Sequence, residues 1–159
     1  EAVAGTGACI VDTRKTAPGF RFLDKRAVRH GGASNHRADL GSGVLIKDNH
    51  IAVAGSVREA ISRVKRSVGH MVKIEVEVEN LVQLREALAA GVDVIMLDNM
   101  TPEQLRVAVQ EIDGRAVTEA SGRITAQTVQ AVAASGVDLI SVGWITHSAP
   151  ILDLGLDVA

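Results

Sequence analysis

The chain has no tyrosine, one tryptophan (Trp144), two phenylalanines (Phe20 and Phe22), one cysteine (Cys9) and three prolines in 159 residues. With so few rings the core must be aliphatic, and a binding mode built on stacking nucleobases against aromatic side chains is excluded for want of material. A lone Cys9 rules out an intrachain disulfide and the paired-cysteine zinc and redox motifs, which fits a reducing, cytoplasmic setting. No stretch reaches the roughly 18 consecutive apolar residues of a membrane span, and no signal-peptide pattern opens the chain. The net charge of −2 offers no global attraction to nucleic acid or to an anionic membrane surface. The length suits one domain with a real core, read here as residues 1–159. Glu1 rather than Met opens the sequence, which leaves room for a longer parent polypeptide.

What the chain does have is aliphatic residues in short, regularly spaced runs. Strands are expected at 8–12, 44–47, 72–79, 94–97, 116–119 and 139–143, with a short tail strand near 151–157. Between them lie amphipathic stretches. Residues 81–90 put Leu81, Leu84 and Leu88 on one helical face with Gly91 as the stop. Thr101 and Pro102 read as N-cap and first helical residue, ahead of a stripe of Leu105, Val109 and Ile112. A third helix is expected at 125–134, and Gly-Val-Asp recurs at 91–93 and 136–138, as though one βα unit were used twice. This rhythm predicts an α/β fold: a parallel (βα) barrel of about six or seven strands, with helices outside. Ile74-Glu-Val-Glu-Val-Glu79 supports closure, because alternation sends its apolar residues to one face and its glutamates to the other.

The charged residues fall at or just after strand ends, the rim where parallel α/β proteins bind ligands. Arg14 and Lys15 follow the first strand; Asn35-His36-Arg37 follows Gly31-Gly32; Lys47 follows the second. Arginine forks suit carboxylates, while lysine supplies a mobile charge. Read alone, Arg14 and Lys15 could equally be a solvated loop, and Lys47 an ion pair with Asp48. Glu75, Glu77 and Glu79 share a strand face and would repel one another unless answered by Lys and Arg, by Mg²⁺, or by both. Asp98 is their natural fellow ligand for Mg²⁺, although Glu75 could belong to a buried ion-pair network. Ser121-Gly122 and Gly143, with His147 and Ser148 nearby, could be plain turns or a phosphate cradle of the kind found late in barrels. Arg58, Arg63, Lys65 and Arg66 read as the solvated face of a helix. A cationic and an anionic half on one rim point to a small ligand rich in carboxylates or phosphates, accompanied by a divalent metal.

Seven motifs in order carry a resemblance: residues 12–19 (DTRKTAPG), Gly31-Gly32 with Asn35-His36-Arg37, residues 45–51 (LIKDNHI), 75–80 (EVEVEN), 96–100 (MLDNM), 119–122 (EASG), and Val142-Gly143 with Thr146-His147-Ser148. Together they resemble the quinolinate phosphoribosyltransferase family across nearly the whole chain. The resemblance implies transfer of phosphoribose from phosphoribosyl pyrophosphate to quinolinate with loss of CO₂, giving nicotinate mononucleotide and pyrophosphate for NAD biosynthesis, with Mg²⁺. It implies that Arg14, His36, Arg37 and Lys47 hold quinolinate, and that Lys15 lies near both substrates. Glu77 and Asp98 would serve the metal and the ribose-pyrophosphate, making Lys15, Lys47, Glu77 and Asp98 the catalytic set. Ser121, Gly122, Gly143 and His147 would receive the 5-phosphate. The family also carries an N-terminal domain not seen in this sequence, which lends an arginine to a neighbouring subunit; a homodimer or higher homo-oligomer is therefore expected. Arg123, where the family usually has Gly or Asn, and Trp144, where it has a small residue, are departures beside the phosphate site. The rival readings are a phosphoribosyltransferase for another pyridine carboxylate and a barrel that binds without turnover.

Overall fold

A computed structural model describes residues 2–157. Six parallel strands form one sheet: β1 (Cys9–Val11), β2 (Val44–Ile46), β3 (Ile74–Val78), β4 (Val94–Asp98), β5 (Val117–Ser121) and β6 (Leu139–Ser141). Their order is β1-β6-β5-β4-β3-β2. The sheet curls, but β1 and β2 stand at its two edges and share no ladder among the described residues. The gap between them is filled by an extended segment. Ser34 bridges to Val11 in parallel register, and the Arg37 guanidinium donates to the carbonyl of Gly43, just before β2. This segment stands where a seventh strand would be, which accounts for the ambiguous strand number in the sequence. No strand forms at 151–157. Those residues expose Ile151, Leu152, Leu154 and Leu156, so the apolar alternation that suggested a tail strand finds no partner among the described residues.

The helices are α1 (Arg21–His30), α2 (Asp48–Ala54), α3 (Val57–Ser67), α4 (Leu81–Ala90), α5 (Pro102–Ile112), α6 (Val129–Ala133) and α7 (Trp144–His147). α4 starts at Asn80, whose side chain accepts from the N–H groups of Val82 and Gln83, and stops at left-handed Gly91. α5 has the expected Thr101 cap, completed by Gln104 as a capping box. α6 is shorter than expected because Thr125 and Thr128 bond to each other in a turn and delay the first helical residue. The core lies between sheet and helices. Val76 and Val78 of β3, Ile95 and Leu97 of β4, Ala120 and Ile140 pack with Leu84, Leu105 and Ile112 of the helices. The opposite sheet face, turned inward, carries Glu75, Glu77, Met96 and Glu119, with Glu77 and Glu119 both in register with Met96.

The repeated Gly-Val-Asp has a mechanical purpose. Asp93 accepts from the N–H of Ile74 at 2.8 Å, and Asp138 accepts from the N–H of Thr118 at 2.8 Å. Each aspartate enters its own strand and closes the first open donor of the neighbouring one, pinning register at the end away from the ligands.

Candidate active site

The sheet's carboxyl ends hold two adjoining cavities. The larger, about 630 Å³, is lined by Lys15, Lys47, Glu77, Asp98, Ser121, Gly122, Arg123, Gly143 and His147. The smaller, about 160 Å³, is lined by Arg14, Lys15, His36, Arg37, Lys47 and Glu119 among others. Lys15 and Lys47 belong to both walls, so the catalytic and substrate-binding residues that the resemblance implied converge on one mouth. Glu79 does not join them: it lies exposed beyond β3, beside α4. A third hollow of about 610 Å³ lies behind α1, lined mainly by apolar side chains such as Val28 and Val129, and lacks convergent charge.

The large cavity is built from close backbone approaches. Gly122 has φ +101°, and a Cβ there would stand 2.3 Å from Asn99 Oδ1 and 2.9 Å from Asn99 N. Asn99 and Arg123 also have positive φ, at 54° and 50°, so three sparsely populated backbone conformations meet at this rim. Opposite them, the Thr146 hydroxyl donates to the carbonyl of Lys15 at 2.8 Å and ties α7 to the loop after β1. A Cβ on Gly143 would lie 3.2 Å from the His147 ring, so glycine there lets His147 and Lys15 face the same space. Lys47 Nζ donates to Glu77 at 2.8 Å, and Asp98 accepts from the Asn99 amide. Glu77 and Asp98 line this same cavity and offer oxygen donors, the kind that Mg²⁺ prefers.

The small cavity is supported from below by buried charge. Asp12 is fully buried. It accepts from Lys25 Nζ at 2.6 Å, the His36 N–H at 2.7 Å and the Asn35 amide at 2.8 Å. Lys25 also donates to the carbonyl of His36. Hydrogen bonds to Asp12 and Lys25 thus hold residues 35 and 36 in place of a strand ladder. The Nε groups of Arg14 and Arg37 are buried without a hydrogen-bond partner among the described residues. An unpaired buried donor is costly, and two of them on guanidinium groups facing one small cavity suit a carboxylate-bearing ligand. Burial, and secondarily the like charge of Arg14, weaken Arg37's hold on its proton, while Glu75 and Glu119 oppose that effect. Arginine nonetheless stays charged.

His36 is flanked by two acids, with Nε2 3.1 Å from Glu75 and 3.4 Å from Glu119. Those hydrogen bonds, Glu119's first, raise its pKa to about 9 against the pull of burial. Nδ1, however, already accepts the N–H of Arg37 at 2.7 Å. A second ring proton would have to displace that amide, so the hydrogen-bond pattern favours a single proton, on Nε2. Burial, with the facing Glu119, pushes the Glu75 carboxyl up, so a proton drawn in by these acids has a carboxyl group to settle on. Sequence reasoning missed Glu119, Asp12 and Lys25 as parts of the site. Glu119 carried a usable signal: it lies two residues before Ser121 on one strand, hence on the same face.

Residues 1–157 match the family described as quinolinate phosphoribosyl transferase, C-terminal domain. A Bacillus subtilis protein named as a probable carboxylating nicotinate-nucleotide pyrophosphorylase is 52% identical over 149 residues, covering 94% of this chain and 52% of that protein. The Mycobacterium leprae protein named as the same pyrophosphorylase is 49% identical over 161 residues, covering 99% of this chain and 56% of its own. The crystal structure of NadC from Streptococcus pyogenes superposes with a TM-score of 0.91 at 45% identity, across 96% of this chain and 53% of that one. The chain therefore spans about half the length of the curated relatives it matches. With that match along almost its whole length, the chain belongs to the quinolinate phosphoribosyltransferase family, as its C-terminal domain.

Proposed function

We propose that this domain carries the site for phosphoribosyl transfer from phosphoribosyl pyrophosphate to quinolinate, with decarboxylation to nicotinate mononucleotide. The observation that carries the reading is the pairing of cavities: a small one walled by arginines with unsatisfied buried donors, opening onto a larger one with carboxylates on one side and a glycine-rich backbone on the other. Arg14, Arg37 and Lys47, with His36 beneath, would fix the two carboxylates of the pyridine ring and so aim its nitrogen into the larger cavity. Geometry then replaces part of the entropic cost of encounter. Ser121, Gly122, Gly143 and His147 would hold the 5-phosphate, as backbone donors do in other barrels.

The ring nitrogen attacks the anomeric carbon while the bond to pyrophosphate breaks, and negative charge grows on the departing oxygens. Lys15, which lines both cavities, would meet that charge. Glu77 and Asp98 would hold Mg²⁺, which when bound supplies further charge neutralisation on the pyrophosphate. The ribosylated ring nitrogen is cationic, so it accepts the electron pair left when the adjacent carboxylate departs as CO₂. A proton then adds at that carbon. We also infer a cytoplasmic enzyme acting as a homo-oligomer, with a further N-terminal domain completing the carboxylate site.

The test is turnover of the native protein with quinolinate, phosphoribosyl pyrophosphate and Mg²⁺. Release of CO₂ with nicotinate mononucleotide supports the proposal. Heat on titration with no CO₂ would establish a binding domain instead, and turnover of a monocarboxylate such as nicotinate alone would establish the other rival.

A further inference from the structure

Arg21 is the first residue of α1. A cation there opposes the helix dipole, whose amino-terminal end is positive, so the helix gains nothing from it. Its guanidinium is directed instead to three neutral oxygens on two other stretches of chain. Nε donates to the Thr16 hydroxyl at 3.1 Å, Nη2 to the carbonyl of Arg14 at 3.2 Å, and Nη1 to the carbonyl of Ala38 at 3.5 Å. Arg14 and Thr16 belong to the loop after β1. Ala38 directly follows Arg37, on the segment that fills the gap between β1 and β2. Arg37 is therefore bracketed, with residue 36 held by Asp12 and residue 38 by Arg21. The other ties of the loop, from Thr146 to the Lys15 carbonyl and from the Ala17 N–H to Asp24, lead to α7 and α1 and not to that segment. Arg21 itself lines neither cavity at the mouth, so any effect on a ligand passes through what it holds. The two stretches need holding, because Arg14 and Arg37 face one small cavity and their like charges repel. A planar fork with five donors can hold acceptors on both stretches at a fixed spacing. A lysine ammonium, compact and on a flexible stem, cannot.

We propose that Arg21 is a positioning residue: its guanidinium staples the loop carrying Arg14 to the segment carrying Arg37, and so sets the spacing of the two arginines that receive a dicarboxylate. This role rests on the carboxylate-site reading given above and adds to it a residue outside the cavity.

Two variants of the native protein test this, Arg21→Ala and Arg21→Lys. In Arg21→Ala the KM for quinolinate should rise about tenfold or more, with kcat and the KM for phosphoribosyl pyrophosphate within about threefold of the parent. The side chain is exposed and alanine suits a helix, so Tm should stay within about 4 °C of the parent. Arg21→Lys keeps the charge but not the fork, so its KM for quinolinate should stay at least about fivefold above the parent's. A larger fall in Tm would make Arg21 a residue of the fold, and recovery in Arg21→Lys would make it a source of charge. Equal losses for both substrates, or no loss, would cut its link to the carboxylate site. Each of these results overturns the proposal. Hydrogen exchange read by mass spectrometry, comparing Arg21→Ala with the parent without substrate, gives a readout that needs no turnover. Faster exchange confined to peptides covering 13–17 and 36–39 is expected, and unchanged exchange there would overturn the proposal. Absence of turnover in the unsubstituted protein would sink the transfer reaction, while exchange would still decide whether Arg21 holds the two stretches together.

Discussion

Asp12 supports the carboxylate site without lining it, so its removal tests how that site is held. Asp12→Ala leaves Lys25, itself 8% exposed, with only the His36 carbonyl as partner, and strips the His36 N–H of its acceptor. Breaking a buried ion pair from one side costs about 3–5 kcal/mol, and an orphaned buried N–H about 1–3 kcal/mol. The two penalties share the same atoms and overlap, so about 4 kcal/mol is the working value, against a typical total stability of roughly 5–15 kcal/mol. At an m-value of about 2 kcal/mol per molar urea, the midpoint should fall by about 2 M. Replacing both charges, as Asp12→Leu with Lys25→Met, removes the uncompensated ammonium and should recover a large part of the loss, although the His36 N–H stays unpaired. Equilibrium urea unfolding of the three proteins, followed by circular dichroism, checks the argument. A loss below about 1 kcal/mol in Asp12→Ala, or a double variant no more stable than the single one, would refute it.

Gly122→Ala forces a side chain onto a backbone at φ +101° and a Cβ against Asn99; a cost of about 3 kcal/mol, read by calorimetry as a Tm lower by about 6–12 °C, is expected, and a shift under about 2 °C would contradict it. Arg37→Ala should weaken quinolinate binding by about tenfold or more in titration calorimetry while leaving phosphoribosyl pyrophosphate nearly unaffected, and equal losses would place the residue elsewhere in the reaction. Asp98→Asn should raise the Mg²⁺ concentration needed for half-maximal activity; an unchanged requirement would remove Asp98 from the metal site. Asp93 titrates below the ordinary aspartate range, chiefly because it accepts the N–H of Ile74. A depressed carboxyl stabilises the fold above its unfolded pKa and loses that contribution as pH falls through the folded one. Asp93→Ala should therefore cost about 1 kcal/mol at neutral pH, and urea midpoints of variant and parent should converge in acid, below about pH 3.9.

How much of this was legible follows from which forces act locally. The leucine face and Gly91 stop of α4 and the Thr101 cap of α5 depend on residues within a few positions of one another, so both helices could be placed by inspection. Alternation along β3 likewise foretold an apolar outer face and an acidic inner one, since a side chain's direction in a strand depends on its own backbone. α1 was hidden for the opposite reason. One of its two buried residues is Lys25, whose partner Asp12 lies on the loop after β1, so no apolar stripe marks the inward face. The same long-range dependence explains why the sequence pattern could name Arg37 but not what fixes it. Asp12, His36 and Glu119 are separated by 24 residues or more along the chain, and their meeting depends on where β1, β5 and the 34–37 segment end up once the sheet has curled. Anions buried beneath a cationic cavity would be a poor choice for stability alone. They make sense if the guanidinium groups above must stay in place, close together and with their Nε donors free, until a carboxylate arrives. The acids below lower the repulsion among those cations without occupying the donors that face the ligand.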